Sequence, residues 1–380
     1  MRKIKTATVT WITYRNFGTF LQAFALQKVI QSLGFENVIL DDASVLKDLR
    51  THQNSILRIT KDILRPIVKS FMTHTSSYRK LMFYSDKLYD AFKENHLQID
   101  HNIQYLSSVG QKYDIFLCGS DQIWHPIEGI FHPYFYLSFT DKKKVAYAPS
   151  IGTSTYPEEF KSRTKPLLER FDSIAVREEI GANLLKSFID KPVDVVLDPT
   201  LLLTSGKWNE LISDTVIKDE EPYALCYFLT ENRNYLNQVK RYAKEKSLRI
   251  KIFGTNPNYM NFGDEVLFCG PKEFLLAIRD ASIVFTDSFH ATIFSIHFER
   301  DFYTFKRFKD GEKKNQNSRL LNLFSMIEYS ERFVGEEHFD KIGKQSPINY
   351  IDVNKKIEVQ RVHSMNYLTK ALEGTWKQSV

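Results

Sequence analysis

Apolar residues in the first part of the chain follow two alternating spacings. The runs TATVTWI (6–12) and NVILDD (37–42) are short, apolar and rich in β-branched residues, which is typical of buried strands. Between them, apolar residues recur every three or four positions from Ala23 to Leu33, which predicts a helix over 18–34. Because a strand, a helix and a second strand form a crossover unit, the pattern predicts a parallel sheet.

Residues 44–110 interrupt this rhythm. They are basic and helix-like, as in ILRITKDILRPIVKSFM (56–72), and we interpret them as a helical insertion. We expect this insertion either to pack on its domain or to make a peripheral contact with a membrane surface. The alternation then resumes, with a predicted helix near 178–189 and predicted strands at 113–118, 144–149, 173–177 and 193–197.

A second alternating series begins after residue 200. The segment DPTLLLTSGKW (198–208) indicates a crossing between two units, after which strand-like and helix-like runs alternate up to residue 298. Helix-like patterns at 317–328 and 353–373 close the chain. The sequence therefore predicts an α/β protein in which two parallel-sheet domains, residues 1–200 and 201–380, face each other across a cleft.

Composition narrows the class of protein. A chain of 380 residues exceeds what one hydrophobic core usually supports, which agrees with two domains. The net charge of +6 is modest, the basic residues are dispersed and no nucleic-acid-binding motif is present, so we expect no nucleic acid as a partner. The three cysteines, Cys118, Cys226 and Cys269, are far apart in apolar runs, which predicts buried free thiols rather than disulfides or a zinc site.

The sequence also bears on location. No apolar run approaches the ~20 residues that span a bilayer. The basic N-terminus, MRKIKTATVTWITYRN, lacks the apolar stretch and the cleavage site of a signal peptide. We therefore expect a cytoplasmic protein that could lie at the inner face of a membrane.

Polar side chains cluster after two strands of the first predicted domain, where ligands of parallel sheets bind. In TYRNFG (13–18), Asn16 and Gly18 precede a helix whose N-terminus could bind an anion, although a plain turn explains them equally well. In FLCGSDQIWHP (116–126), Asp121 could cap a helix, but capping does not account for the neighbouring Trp124 and His125. This second cluster suits a sugar, with Trp124 as an aromatic platform and Ser120 and Asp121 binding or activating hydroxyls.

Two further strand ends carry ionisable groups. Arg177 precedes two glutamates, so it either pairs with them or offers a guanidinium fork to a carboxylate or phosphate. In FTDSFHATIF (285–294), Asp287 could cap the next helix, Ser288 could expose its hydroxyl, and His290 falls in the first helical turn. A histidine there is a usable acid or base. Arg319 stands at the start of an amphipathic helix, beyond a loop that we expect to be solvated.

Taken in order, these segments resemble the polysaccharide pyruvyl transferase family. The resemblance runs from residue 16 to about 324 and does not cover the insertion at 44–110. Its motifs in this chain are NFGTFLQAFALQ (16–27), YDIFLCGSDQIW (113–124), YAPSIG (147–152), AVREEIGANLL (175–185), VLDPTLLL (196–203), TDSFHATIFSI (286–296) and NSRLLNLF (317–324).

The resemblance implies a fold similar to GT-B glycosyltransferases, with two Rossmann-like domains. It implies phosphoenolpyruvate (PEP) as donor, a glycan or lipid-linked glycan as acceptor, and a pyruvate ketal as product, with no metal or cofactor. Arg177 and Arg319 would hold PEP, with the second domain as the expected donor side, and His290, oriented by Asp287, would protonate PEP. Asp121 would accept a hydroxyl proton on the acceptor side, in the first domain.

One departure from the family pattern concerns the donor site. Some members have Arg-Leu-His where this chain has Ser288, Phe289 and His290, so one arginine is missing. Lys306 or Arg307 could supply the lost charge.

Two other functions are consistent with the sequence. A sugar-nucleotide glycosyltransferase would use the same cleft, and binding of a UDP-sugar would distinguish it. A non-catalytic glycan-binding protein is favoured by the missing arginine, and PEP affinity that depends on Arg177 or His290 would count against it.

Overall fold

The computed structural model describes residues 3–41, 76–102, 106–127, 131–215, 221–308 and 317–374. Within these ranges the chain forms two parallel β-sheets, one after the other in sequence, with helices packed against them. The predicted α/β class with two parallel-sheet domains is confirmed.

The first sheet has seven strands, and its crossovers are largely helical. The strands are β1 (Lys5–Val9), β2 (Glu36–Leu40), β3 (Ile99–Asp100), β4 (Ile115–Cys118), β5 (Lys143–Tyr147), β6 (Ser173–Val176) and β7 (Asp194–Val195). Their order is β3-β2-β1-β4-β5-β6-β7, and all neighbouring pairs are parallel. The helices are α1 (Phe17–Ser32), α2 (Ser76–His96), α3 (Leu106–Lys112), α4 (Glu158–Leu168) and α5 (Glu179–Lys186).

The second sheet has six strands. They are β8 (Tyr223–Tyr227), β9 (Arg249–Phe253), β10 (Glu265–Leu267), β11 (Ile283–Thr286), β12 (Asp301–Phe305) and β13 (Phe333–Val334), in the order β10-β9-β8-β11-β12-β13. The remaining helices are α6 (Pro199–Leu202), α7 (Ser205–Leu211), α8 (Arg233–Glu245), α9 (Pro271–Asp280), α10 (Phe289–His297), α11 (Ser318–Ile327) and α12 (Tyr350–Glu373).

Each sheet contains one point at which the direction of winding reverses. In the first sheet the chain runs outward from β1 to β3 and then returns to place β4 on the other side of β1. In the second sheet β8 and β11 are related in the same way. Loops that leave the carboxyl ends of strands at such a switch point diverge and form a crevice, which is where ligands of open α/β sheets bind.

Helix α1 packs between the two halves of the molecule. Its apolar residues do not form one stripe: Phe17 and Phe24 belong to the core shared with the second domain, whereas Leu26 and Ile30 belong to the core beneath the first sheet. A helix that is apolar on several faces is buried on several faces. The N-terminus of α1 is thereby fixed at the cleft.

The described part of the predicted insertion is packed. Tyr89 of α2 stacks on Phe17 of α1 at 5.4 Å between ring centroids, and the Ser85 hydroxyl donates to the Cys269 carbonyl at 2.7 Å. Helix α2 therefore joins the first sheet to the second. Residues 44–75 and 103–105 of the predicted insertion lie outside the described residues.

The final helix returns to the first sheet. The Tyr367 hydroxyl of α12 donates to the Ala146 carbonyl at 3.0 Å, and Lys143 Nζ donates to the Leu372 carbonyl at 3.2 Å. The strands of the first sheet come from residues 5–195 and those of the second from residues 223–334. Helix α12 is thus a connection between the two domains.

Two smaller predictions are also answered. All three cysteines are buried free thiols, as expected. Among the described helices, none combines the length and the apolar character needed to cross a bilayer.

Candidate functional site

A cavity of about 240 Å³ lies between the two switch points, and we call it the central cavity. Its first wall comes from the β1–α1 loop and the loop after β4, and its second wall comes from the ends of β8 and β11 and from α11. Its lining includes Trp11, Tyr14, Asn16, Thr19, Asp121, Gln122, Asp287, Ser288, Phe289, His290, Arg307 and Arg319. The strand-end rule therefore brings together most of the predicted residues.

Asn16 and Gly18 shape the first wall. The Asn16 side chain accepts hydrogen bonds from the amides of Gly18 and Thr19, at 2.9 and 3.4 Å, and caps α1. A Cβ atom at position 18 would lie only 1.9 Å from Nδ1 of His290, so a side chain cannot fit there. Gly18 thus lets the imidazole of the second domain rest on the helix N-terminus of the first.

Asp121 projects into the cavity from a strained backbone. Its φ of 83° is unusual for a residue with a side chain. Its carboxylate accepts one hydrogen bond from the Thr19 hydroxyl at 2.7 Å and another from the Gln122 amide at 2.8 Å. These bonds fix the carboxylate, and its remaining lone pairs can accept protons or hydroxyl groups from a ligand.

The prediction that Asp287 orients His290 is wrong. The Asp287 carboxylate accepts the backbone amides of Leu229 and Thr230, at 2.7 and 2.9 Å, and so ties the ends of β8 and β11 together. Burial raises the pKa of Asp287 above its ordinary value, against the opposing charge of Arg307. The residue that caps α10 is Ser288 and not Asp287. The Ser288 hydroxyl accepts a hydrogen bond from the Ala291 amide at 3.4 Å, so it is not the exposed hydroxyl that the sequence suggested.

The acid that faces His290 is Asp198, which the sequence analysis did not single out. Asp198 Oδ2 lies 3.7 Å from His290 Nε2, 2.6 Å from Arg177 Nη1 and 3.1 Å from the Ser120 hydroxyl. Its other oxygen accepts the amide and the hydroxyl of Thr200. It lies three residues after the end of β7, so the same strand-end rule applies to it, although the apolar segment that follows it has the pattern of a connection between two domains.

Asp198 is ionised despite its burial. Burial alone would raise its pKa, but the facing His290 imidazole, the Arg177 charge and the bonds from Thr200 outweigh that effect and hold the pKa well below its usual range. One buried carboxylate therefore positions both an arginine and a histidine.

Arg177 and Arg319 present unused donors beside one aromatic ring. Their guanidinium carbons lie 4.8 and 5.7 Å from the centroid of Phe289. Nε and Nη2 of Arg177 and Nε of Arg319 are buried and have no hydrogen-bond partner among the described residues. Burial lowers the pKa of Arg319 to about 10, and the Arg177 charge acts in the same direction. Buried guanidinium groups that lie side by side with unused N–H donors could hold an anion.

Arg177 and Arg319 lie at the junction of the central cavity with a neighbouring cavity. Arg177 lines a neighbouring cavity of about 470 Å³, which shares Phe289 and Arg319 with the central cavity. The predicted pairing of Arg177 with Glu178 and Glu179 does not occur. Glu178 instead accepts the amides of Ile151 and Gly152 at 2.8 and 2.9 Å.

Two predicted substrate contacts are replaced by structural roles. Trp124 has no exposed surface: its ring stacks on Tyr136 at 5.3 Å, and its Nε1 donates to the Phe135 carbonyl at 3.0 Å. It cannot serve as a sugar platform. Ser120 is likewise fully buried, with its hydroxyl donating to Asp198.

Burial and the Arg319 charge lower the pKa of His125 to about 4, so this imidazole is neutral at pH 7.

Of the two candidates for the missing arginine, Arg307 lies at the site. It lines the central cavity, 3.7 Å from Asp287 Oδ2, and donates to the Thr230 hydroxyl at 3.0 Å. Lys306 does not line this cavity and pairs with Glu337 at 3.5 Å.

Among the described residues, no group of three or more His, Cys, Asp or Glu side chains is placed to hold a metal ion.

Comparison with solved structures places this architecture in the GT-B fold. A UDP-N-acetylglucosamine 2-epimerase is similar over 100% of this chain and 99% of its own, with a TM-score of 0.50 and 11% identity. The enzyme of the same name from Methanocaldococcus jannaschii, in complex with UDP-GlcNAc and UDP, has a TM-score of 0.47 at 12% identity, covering 94% and 99% of the two chains. The Escherichia coli heptosyltransferase WaaC with ADP has a TM-score of 0.40 at 12% identity, covering 94% and 100%.

At 11% identity, the similarity to the epimerase with a TM-score of 0.50 concerns the fold alone. A comparison with curated proteins gives no significant match. The polysaccharide pyruvyl transferase family matches residues 16–307, which is most of the chain and includes the residues that line the central cavity from Asn16 to Arg307. The chain therefore belongs to the polysaccharide pyruvyl transferase family.

Proposed function

We propose that this protein transfers the pyruvyl group of PEP to a hexose of a surface polysaccharide or of its lipid-linked precursor, and forms a pyruvate ketal. One observation carries the proposal. His290 lies against the N-terminus of α1, beside an ionised Asp198 and two arginines that each have a buried N–H without a partner among the described residues. This arrangement supports the assignment of a proton donor next to a site for a small anion.

The donor fits the junction of the two cavities. PEP carries a carboxylate and a phosphate, and each can accept paired hydrogen bonds from a guanidinium group. Arg177 and Arg319 flank Phe289 at this junction, and Arg307 adds a third cation on the side of the central cavity. The N-termini of α1 and α10 also meet at the central cavity and favour a negative ligand.

The reaction then follows from the placement of acid and base. His290 gives a proton to C3 of PEP, which becomes a methyl group and leaves C2 electrophilic. A sugar hydroxyl attacks C2 and gives its proton to Asp121. The C2–O bond to phosphate breaks, and a second hydroxyl closes the ketal as its proton passes to the departing phosphate. The proton that Asp121 has gained is released to solvent, and His290 takes up a proton from solvent, so both groups return to their starting state. The balance is PEP plus a diol giving a ketal and inorganic phosphate, so no cofactor is needed.

The experiment that tests the donor is ligand-induced stabilisation with PEP, and separately with UDP-sugars. A ligand at 100 times its dissociation constant adds about 2.7 kcal/mol to the free energy of unfolding. Arg177→Lys is the informative variant, because it keeps a charge opposite Asp198 but loses the fork. We expect it to weaken PEP binding by about 10- to 100-fold, since a hydrogen bond to a charged group contributes about 1.5–3 kcal/mol.

Arg249→Lys is the matched control, because Arg249 pairs with Glu221 at the surface, with 40% of its side chain exposed. It should bind PEP like the wild type. Stabilisation by a UDP-sugar but not by PEP would refute the proposal and favour a glycosyltransferase. Equal PEP affinity in the wild type and in Arg177→Lys would remove Arg177 from the donor site.

A further inference from the structure

We propose that the loop between β1 and α1 forms the platform for the acceptor sugar, with Trp11 and Tyr14 as its aromatic surfaces. This inference rests on the proposed function, because it assigns the second substrate of the same cavity. It replaces the role that the sequence suggested for Trp124, whose ring lies in the core.

Trp11 has an unused hydrogen-bond donor at the cavity. Its ring lines the central cavity and is partly exposed, with its edge-to-face neighbour Phe135 at 6.1 Å behind it. Its Nε1 is buried and has no hydrogen-bond partner among the described residues. A buried indole N–H normally has a partner, so this donor indicates an acceptor oxygen on a ligand.

Gln122 supplies a second such donor on the same wall. Its Nε2 is also buried and unpartnered among the described residues, and it lies over Gly152, where a Cβ atom would come within 2.2 Å of it. On the same wall, the Asp121 carboxylate accepts hydrogen bonds from the Gln122 backbone amide and from the Thr19 hydroxyl of α1. Two neutral donors and one carboxylate match a sugar ring, whose hydroxyl groups both accept and donate.

Tyr14 extends this wall outward. Its side chain is 62% exposed, and it lines both the central cavity and an adjoining cavity of about 230 Å³, whose wall includes Phe268 and Thr255. An exposed aromatic ring at the mouth of a polar cavity offers a flat apolar surface, against which the C–H face of a sugar packs. The adjoining cavity gives the next sugar of a glycan a place outside the reaction centre.

Charge separates the two substrates. The cations that line the central cavity, Arg307 and Arg319, stand on the second wall with His290. On the first wall the residues lining the cavity are uncharged except for Asp121. These cations favour the anionic donor at the second wall and at the junction with the neighbouring cavity, where Arg177 lies, and they leave the outer part of the first wall, at Trp11 and Tyr14, to a neutral sugar.

The test uses saturation-transfer NMR with methyl β-D-galactoside, methyl β-D-glucoside and methyl α-D-mannoside as probes, on the full chain. At least one hexoside should receive saturation at its ring C–H protons in the wild type. Tyr14→Ala should weaken that binding by at least about 10-fold, whereas Tyr14→Phe, which keeps the ring, should retain it. Trp11→Phe, which removes only the indole N–H, should also weaken it.

Tyr84→Ala is the control, because Tyr84 is 54% exposed and lines neither of these two cavities. PEP stabilisation is measured on the same samples. Hexoside binding that is unchanged in Tyr14→Ala and Trp11→Phe, or no binding of any probe to a wild type that binds PEP, would overturn the platform and leave the proposed donor intact. Tyr14-dependent hexoside binding without PEP binding would leave the platform and remove the donor.

Discussion

Replacing Gly18 with alanine tests the packing of His290, from the second domain, on the N-terminus of α1. The added Cβ would lie 1.9 Å from His290 Nδ1, whereas ordinary contact begins near 3.4 Å, so the imidazole must move by about 1.5 Å (3.4 − 1.9). Overpacking of this kind costs about 1–3 kcal/mol. A displacement of about 1 Å at a catalytic group can also cost 100-fold in rate.

The chain contains a matched control. Gly206 is the second residue of α7, as Gly18 is the second residue of α1, and a Cβ atom at 206 meets only the Thr204 hydroxyl at 3.7 Å. Where the backbone allows it, Gly→Ala stabilises a protein by about 0.4–1 kcal/mol. That gain is common to both variants, so their difference isolates the contact with His290.

The assays are urea unfolding and NMR of the histidine Cε1–H groups. We expect Gly18→Ala to be less stable than Gly206→Ala by about 1–3 kcal/mol. The His290 resonance, assigned by loss in His290→Gln, should shift only in Gly18→Ala. Equal unfolding free energies together with an unshifted His290 signal would refute the packing of this imidazole on α1.

Three further predictions concern single side chains. Asp198→Asn should lower the unfolding free energy at pH 7 by about 3–5 kcal/mol, because it leaves Arg177 buried without its charged partner. The pKa of Asp198 is depressed in the folded protein, so the difference in unfolding free energy between wild type and variant should narrow as the pH falls below about 4. A difference in urea unfolding that stays constant with pH would contradict this prediction. Burial lowers the pKa of His297 to about 4, so its contribution to the unfolding free energy is full above pH ~6.5 and falls by about 3 kcal/mol towards pH 4; His297→Gln should make the pH dependence shallower by this amount, while the similar contribution of His125 remains, and an unchanged slope would be the contrary result. Arg307→Ala should weaken PEP binding by about 10-fold in titration calorimetry, and Lys306→Ala should not; equal effects would show that Arg307 does not replace the missing arginine.

The position of the site could be predicted from the sequence because it depends on strand ends. Apolar runs that stop before Asp121 and before Asp287 mark the carboxyl ends of parallel strands, and these ends meet at one edge of a sheet. The sequence does not reveal that β8 and β11 are neighbours in the second sheet. That order brings the amides of Leu229 and Thr230 to Asp287 and gives this carboxylate a structural role.

The errors at individual residues share one physical cause. Spacing along a loop does not determine which side chain turns towards solvent. Trp124 turns inward because the Phe135 carbonyl, eleven residues later, accepts its N–H. The sequence pattern assigns Trp11 to a strand and Tyr14 to a turn, yet both side chains line the central cavity. Asp198 was missed for a related reason, since its partners Arg177 and His290 come from both domains.

The return of α12 to the first sheet affects how the protein is made. Tyr367, Leu368, Ala371 and Leu372 complete the apolar cluster that contains Leu26, Val29 and Ile30 of α1. A ribosome releases residues in order, so the first sheet must wait for nearly the whole chain before that face is covered. An N-terminal half produced alone would expose this face to other chains, whereas two halves produced together would each carry the surface that the other lacks.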